Sequence, residues 1–139
     1  MIKLLSILLL LPSLLYAGER EDNWGRFKAG VRDQVMEEHK VTFITCYFTG
    51  VAVPKEAIQI DHVVPVNVAE KLGALKWSMD KRRDFFNNPV NLVPVIAGLN
   101  SSKGDRNPKS FLPKINKEDY LNRWETICAL YQMDCSQEF

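Results

Sequence analysis

The sequence predicts an α+β domain, and three observations carry that reading. Two short runs rich in Ile and Val, "IQIDHVVP" at residues 58–65 and "PVNLVPVI" at 89–96, read as strands. The residues between them carry helix starts and stops rather than a tight turn, so the strands bracket a helical insertion. Amphipathic periodicity then appears on both flanks, before residue 41 and after residue 116.

Taken in order, Met1 to Ala17 has one early cation, Lys3, an apolar run from Leu4 to Leu15 and a small residue before the charged "GEREDNWGR". That is the pattern of a secretory signal peptide, residues 1–17, cut between Ala17 and Gly18. The apolar run is too short for a comfortable membrane span. The mature chain, 18–139, would then be one domain with no stable membrane insertion, and export is expected. An uncleaved N-terminal anchor is the competing reading.

Asn23 to Lys40 is predicted as a helix with Trp24, Phe27, Val31 and Val35 on one stripe. "VTFITCYF" favours a strand ending at Gly50, and "VAVPKEA" reads as a connection to the strand at 58–65. "VNVAEKLG" is a short helix closed by Gly73, and Ser78 caps another from Met79 to Phe86 that ends at "NNP". After the second strand, "AGLNSSKGDRNP" makes a short helical turn stopped by Gly104 and Pro108. Lys117 to Tyr131 closes the domain as a helix with Leu121, Trp124, Cys128 and Tyr131 on one face.

Without Lys3 the chain holds 17 cations and 17 anions, so its net charge is zero. The distribution is uneven: Asp61 to Lys117 carries ten Lys or Arg against five Asp or Glu, and Glu118 to Phe139 one against five. A basic middle on a neutral chain suits a polyanion contact confined to one face, or equally a solvated charged surface. Cys46, Cys128 and Cys135 lack the spacing of a zinc site and fit one disulfide with a thiol left over. Three pairings are open. No repeat or low-complexity segment appears.

The residues that carry chemistry interrupt the apolar strands. Asp61 and His62 stand side by side in the first, where both are costly to bury without partners. Asn91 opens the second, and Asn100 follows nine residues later, far enough for one strand and a reversal that brings Asn100 back beside Asp61. Side chains alternate along a strand, so Asp61 and His62 serve one site only at a twist or a strand end, which Pro65 helps to impose. An imidazole titrating near neutrality suits the removal of a proton from water. Asp61 and Asn100 offer oxygen donors, the preference of Mg²⁺ or Mn²⁺ rather than zinc.

The ordered set Asp61-His62, Asn91 and Asn100, within "DHVVPVNVAEKLGALKWSMDKRRDFFNNPVNLVPVIAGLNSSKGDRNPKSFLP", resembles the HNH nucleases with the ββα-metal fold in which the last His is Asn. The closest likeness is to the secreted bacterial branch, similar to the C-terminal nuclease domain of GmrSD-type restriction enzymes. The terminal "DYLNRWETICALYQMD" is similar as well, and the resemblance covers Thr49 to Asp134. It implies a ββα-metal HNH core at about residues 57–115, a short antiparallel hairpin plus helix, with a helical insertion and flanking N- and C-terminal helices. It implies an endonuclease that hydrolyses phosphodiester bonds to 5′-phosphate and 3′-hydroxyl ends. His62 would activate water, Asn91 steady the loop that carries it, and Asp61 and Asn100 hold a divalent ion, Mg²⁺ or else Mn²⁺. Lys103 and Arg106 would grip flanking phosphates. The expected partner is nucleic acid, DNA before RNA and with little sequence specificity, and no obligate protein partner is implied.

Each residue also has a plainer reading. His62 reads alone as a satisfied polar residue on a buried strand, Asp61 as a partner for Lys103, Asn91 as a turn residue and Asn100 as a helix cap. "DKRRD" at 80–84 reads as a solvated helix face or as a track for a nucleic-acid backbone. Trp77 and Trp124 read as core, and His39 as a helix-end residue stabilised by the dipole. Ser101 and Ser102 beside Lys103 suggest a nucleophilic pair, but no oxyanion hole accompanies them in the sequence. The rival function is a secreted, non-catalytic nucleic-acid-binding protein that retains the HNH fold.

Overall fold

The computed structural model describes residues 20–37 and 41–139; the expected signal peptide and His39 lie outside them. The expected helix 23–40 is broken. Residues 20–24 are helical, and Gly25 then takes the left-handed region (φ +76°), where a side chain is strained. The chain resumes as helix α1, Val31–Met36. Trp24 is fully buried and its indole N–H donates to Glu70 at 2.7 Å, whereas Phe27 is left 38% exposed, so the break splits the anticipated stripe.

"VTFITCYF" supplies only a short strand, β1 (Phe43–Thr45). The expected connection contains its partner β2 (Ala52–Pro54), antiparallel with Ile44 opposite Val53. A 3₁₀ turn at Lys55–Ala57 leads into β3 (Ile58–His62), followed by α2 (Val66–Lys71), a 3₁₀ turn at Ala74–Lys76 and α3 (Met79–Asn87). Ser78 caps α3 as expected, accepting from the Lys81 backbone N–H at 3.2 Å. A further 3₁₀ turn at Pro89–Asn91 delivers β4 (Leu92–Ile96), and α4 (Ala97–Lys103) follows at once. The last helix is α5 (Lys117–Leu130).

The architecture is α+β: two small antiparallel hairpins, β1–β2 and β3–β4, with helices around them. The β3–β4 hairpin has the helices α2 and α3 inserted between its strands, and α4 packs back on both. Pro94 sits inside β4, where its missing N–H is no loss and its carbonyl accepts from the Tyr47 backbone N–H at 2.9 Å, tying the hairpins together. Trp24, Val63, Val95, Phe85, Tyr120 and Trp124 anchor one hydrophobic core. Each such side chain contributes about 1.5–3 kcal/mol of burial.

The helix α5 ends in a fold-back that the sequence did not announce. Gln132 takes the left-handed conformation (φ +56°) and the Met133 N–H donates to the Cys128 carbonyl at 2.9 Å, a Schellman-type cap. The reversal returns the tail over the helix, and Cys135 bonds Cys128; Cys46 is a buried free thiol. Among the described residues no helix is long and apolar enough to cross a membrane.

Candidate active site

The strand β3 ends on the pair of interest. Asp61 lies opposite Val93 and His62 opposite Leu92. The ladder stops there, and past this strand end Asp61 and His62 both line one cavity of about 810 Å³, together with Asn100. Three of the four residues singled out in the sequence thus face a common space.

Asn91, the fourth, is fully buried just behind it. Its side-chain oxygen accepts from the Val64 N–H at 2.8 Å, its amide N–H donates to the Val64 carbonyl at 3.3 Å, and its backbone carbonyl accepts from the Val63 N–H at 2.8 Å. Asn91 therefore clamps the two residues that follow His62 and does not touch the imidazole.

The ring of His62 is packed and oriented by other groups. Phe27 stacks on it at 5.8 Å between centroids and Phe86 lies tilted at 4.6 Å. His62 Nε2 is 2.9 Å from the Phe86 carbonyl oxygen. A carbonyl only accepts, so Nε2 carries the proton and Nδ1 keeps its lone pair. Burial pushes the imidazole down to about 4, against the smaller upward pull of the Phe86 carbonyl, so the ring is neutral at pH 7. The neutral tautomer with Nδ1 free is the form that accepts a proton.

Asp61 is 7% exposed and faces a buried cation. Lys103 Nζ sits 2.8 Å from Asp61 Oδ2, an ion pair rather than an aligned hydrogen bond, and donates to the His62 carbonyl at 2.9 Å. Burial raises the Asp61 carboxyl above its ordinary value and lowers the Lys103 ammonium, each softened by the charge of the other. Lys103 had been expected beside a phosphate; its side chain is 0% exposed. It is the final residue of α4, and Gly104 follows at φ +56° and ψ −130°, a conformation open to glycine, which turns the chain away while Lys103 points inward.

Asn100 precedes Lys103 by three residues, so both lie on the face of α4 that meets β3. Its amide N–H donates to Gln59 Oε1 at 3.0 Å, an arrangement in which Asn100 Oδ1 takes no part in that bond. Arg106 is exposed, and its guanidinium donates to the Ser102 and Lys103 carbonyls at 2.9 and 3.2 Å, closing the C-terminal end of α4. Ser101 donates to the Ala97 carbonyl, and no nucleophilic pair forms with Lys103. In "DKRRD", Lys81 donates to the Tyr131 carbonyl and Asp84 accepts from the Tyr131 hydroxyl, so this face is tied to the end of α5. Trp124 is core as expected, and Trp77, partly buried, packs on the same core against Trp24, Phe85 and Tyr131.

Sequence reasoning missed a part of the cavity lining. Arg20, Arg26 and Phe27, from the broken N-terminal stretch, line the same cavity, with Arg26 paired to Glu21. The signal was Gly25, which stops the helix just before Arg26 and Phe27 join the cavity lining. The Lys28 N–H, held by the Asn87 side chain at 2.7 Å, then fixes that stretch.

Among the described residues no group of three or more His, Cys, Asp or Glu side chains converges as a metal cluster. Asp61 and Asn100, among the oxygen-bearing residues that line the cavity, offer a carboxylate and an amide oxygen, hard donors that fit an ion of the Mg²⁺ or Mn²⁺ kind, which retains most of its water.

Fold and site together define a small α+β domain in which a neutral imidazole, a carboxylate and a side-chain amide line one cavity, an arrangement suited to hydrolysis at an anionic ester. The chain belongs to the family described as GmrSD restriction endonucleases, C-terminal domain, whose model matches residues 20–133, and is thus a nuclease-like domain. It is also 34% identical over 80 residues to a protein of Arthroderma benhamiae described as an uncharacterized secreted protein. That match takes in 55% of this chain and 39% of the relative, so the chain spans about two fifths of that relative's length. No solved structure matches the chain.

Proposed function

We propose that this chain is an exported, metal-dependent endonuclease of the HNH type, cutting DNA with little sequence specificity. The observation that carries the reading is the His62 imidazole, neutral and with Nδ1 unprotonated, over the cavity that Asp61 and Asn100 also line. In this reading β3, β4 and α4 are the ββα core. His62 Nδ1 removes a proton from water as it attacks phosphorus, and the Phe86 carbonyl holds the ring through Nε2 and supports the charge that develops on it. Asn91 keeps the loop behind His62 from shifting. Asp61 and Asn100 would hold the divalent ion, Mg²⁺ before Mn²⁺, which when bound supplies positive charge beside the phosphate. Backbone phosphates meet the exposed cations of the rim, Arg20 and Arg26, and Arg106 next to α4.

Plasmid nicking tests this. Wild-type protein with Mg²⁺ or Mn²⁺ is expected to convert supercoiled to open-circular DNA, and EDTA to stop it. Replacing His62 with Ala removes the base and lowers the rate by about 10²–10⁴. If both proteins bind DNA and neither cuts it with any divalent ion, the chain is a nucleic-acid-binding protein and the hydrolytic reading is wrong.

A further inference from the structure

We infer that Lys103 restricts Asp61 to a single metal-facing oxygen and so makes the centre discriminate against Ca²⁺ in favour of Mg²⁺ and Mn²⁺. The inference rests on the reading of Asp61 and Asn100 as oxygen ligands. Lys103 is a positioning residue in this account, acting through Asp61.

The geometry is two-sided. The ammonium lies 2.8 Å from Asp61 Oδ2 and donates to the His62 carbonyl at 2.9 Å, so it is pinned at two points. The lysine side chain is 0% exposed and Oδ2 is buried with it. An ion that needs both carboxylate oxygens must evict the ammonium from this seat, leaving a charge buried without a partner. Rotating the carboxylate only exchanges which oxygen the lysine covers. Asp61 therefore has one oxygen for the cavity, Oδ1.

That constraint sorts ions by their coordination habits. Mg²⁺ takes six ligands in a tight octahedron, binds carboxylates through one oxygen and fills the remaining positions with water. Ca²⁺ takes six to eight oxygens and gains most from chelating carboxylates. A single Asp61 oxygen with Asn100 Oδ1 serves the first kind and starves the second. Because Asn100 and Lys103 are one helical turn apart on α4, the same helix that brings a ligand also brings the group that limits the other ligand.

The test is metal binding by the full chain without nucleic acid. Free Mn²⁺ is followed by electron paramagnetic resonance while Mg²⁺ or Ca²⁺ competes, for wild type, Lys103→Met and Lys103→Gln. Wild type should release Mn²⁺ to Mg²⁺ more readily than to Ca²⁺. Either variant should move the Ca²⁺ to Mg²⁺ affinity ratio about tenfold towards Ca²⁺. A merely structural role for Lys103 weakens all three ions alike, and an unchanged ratio in a folded variant overturns the inference. Should neither variant fold, infrared difference spectra of Ca²⁺-loaded wild type against Asp61→Asn decide: bands of a one-oxygen carboxylate support it, and those of a chelating carboxylate overturn it. If wild type binds none of the ions, the metal centre itself is refuted, a result distinct from a ratio that ignores Lys103.

Discussion

Replacing Asn91 with Ala is the sharpest probe of how the loop behind His62 is held. The native amide satisfies the Val64 N–H at 2.8 Å and the Val64 carbonyl at 3.3 Å, and Asn91 is 0% exposed, so no water takes over either bond. Truncation orphans one buried donor and one buried acceptor. At about 1–2 kcal/mol for each unpaired group, the chain should lose about 2–4 kcal/mol, a large share of the stability of a domain this size. Urea unfolding should show this as a lower midpoint at unchanged slope. The backbone bond from the Val63 N–H to the Asn91 carbonyl survives the substitution, so the loop loosens rather than detaches. With His62 directly before the freed residues, nicking should slow by about 10- to 100-fold under conditions where the variant is still folded, with DNA binding retained. A loss of stability below about 1 kcal/mol, or full nicking activity in a destabilised variant, would refute the clamp.

Two further outcomes follow from the same coordinates. Burial holds the His62 imidazole at about 4 in the folded chain against 6.5 for the free side chain, so between those values the unfolded state binds the extra proton and stability rises with pH. The His62 contribution, about 3 kcal/mol at most, is complete above about pH 6.5 and lost as pH falls through about 4. Urea midpoints of wild type and His62→Gln measured from pH 4 to 7 should therefore converge at the acid end, and parallel curves would refute the packing account. Breaking the Cys128–Cys135 disulfide by changing both residues to Ser opens a short loop and should cost about 2–3 kcal/mol, with nicking by the folded variant unaltered because the bond lies outside the cavity lining.

What the sequence made legible was the order of chemical residues along the chain. Asp61-His62, Asn91 and Asn100 are rare types inside apolar runs, and the strand–reversal–helix spacing is enough to bring Asn100 back to Asp61's strand. The requirement for a strand end at Asp61-His62 could be read as well, since alternation forbids a shared face within a regular strand. Other parts carry no residue-type signature. The partner of His62 Nε2 is a backbone carbonyl, which any residue at position 86 would supply. The burial of Lys103 depends on which way α4 turns, and a lysine beside a glycine looks like a surface residue. The β1–β2 hairpin was missed because Pro54 and the three-residue length of β2 read as connection. The N-terminal stripe misled because its period continues through Gly25, where the backbone does not. The disulfide needed the left-handed Gln132, a conformation no composition announces.

The wide gap between β3 and β4 bears on when the proposed nuclease would first be able to act. The His62 ring is oriented by a carbonyl 24 residues away, and the neighbouring carboxylate finds its cation only 42 residues downstream. An extended or half-made polypeptide has neither, so the proposed cutting would be closed to it. The proposed activity would arrive only with the finished fold, and a chain threaded unfolded across a membrane would stay inactive until it reached the other side.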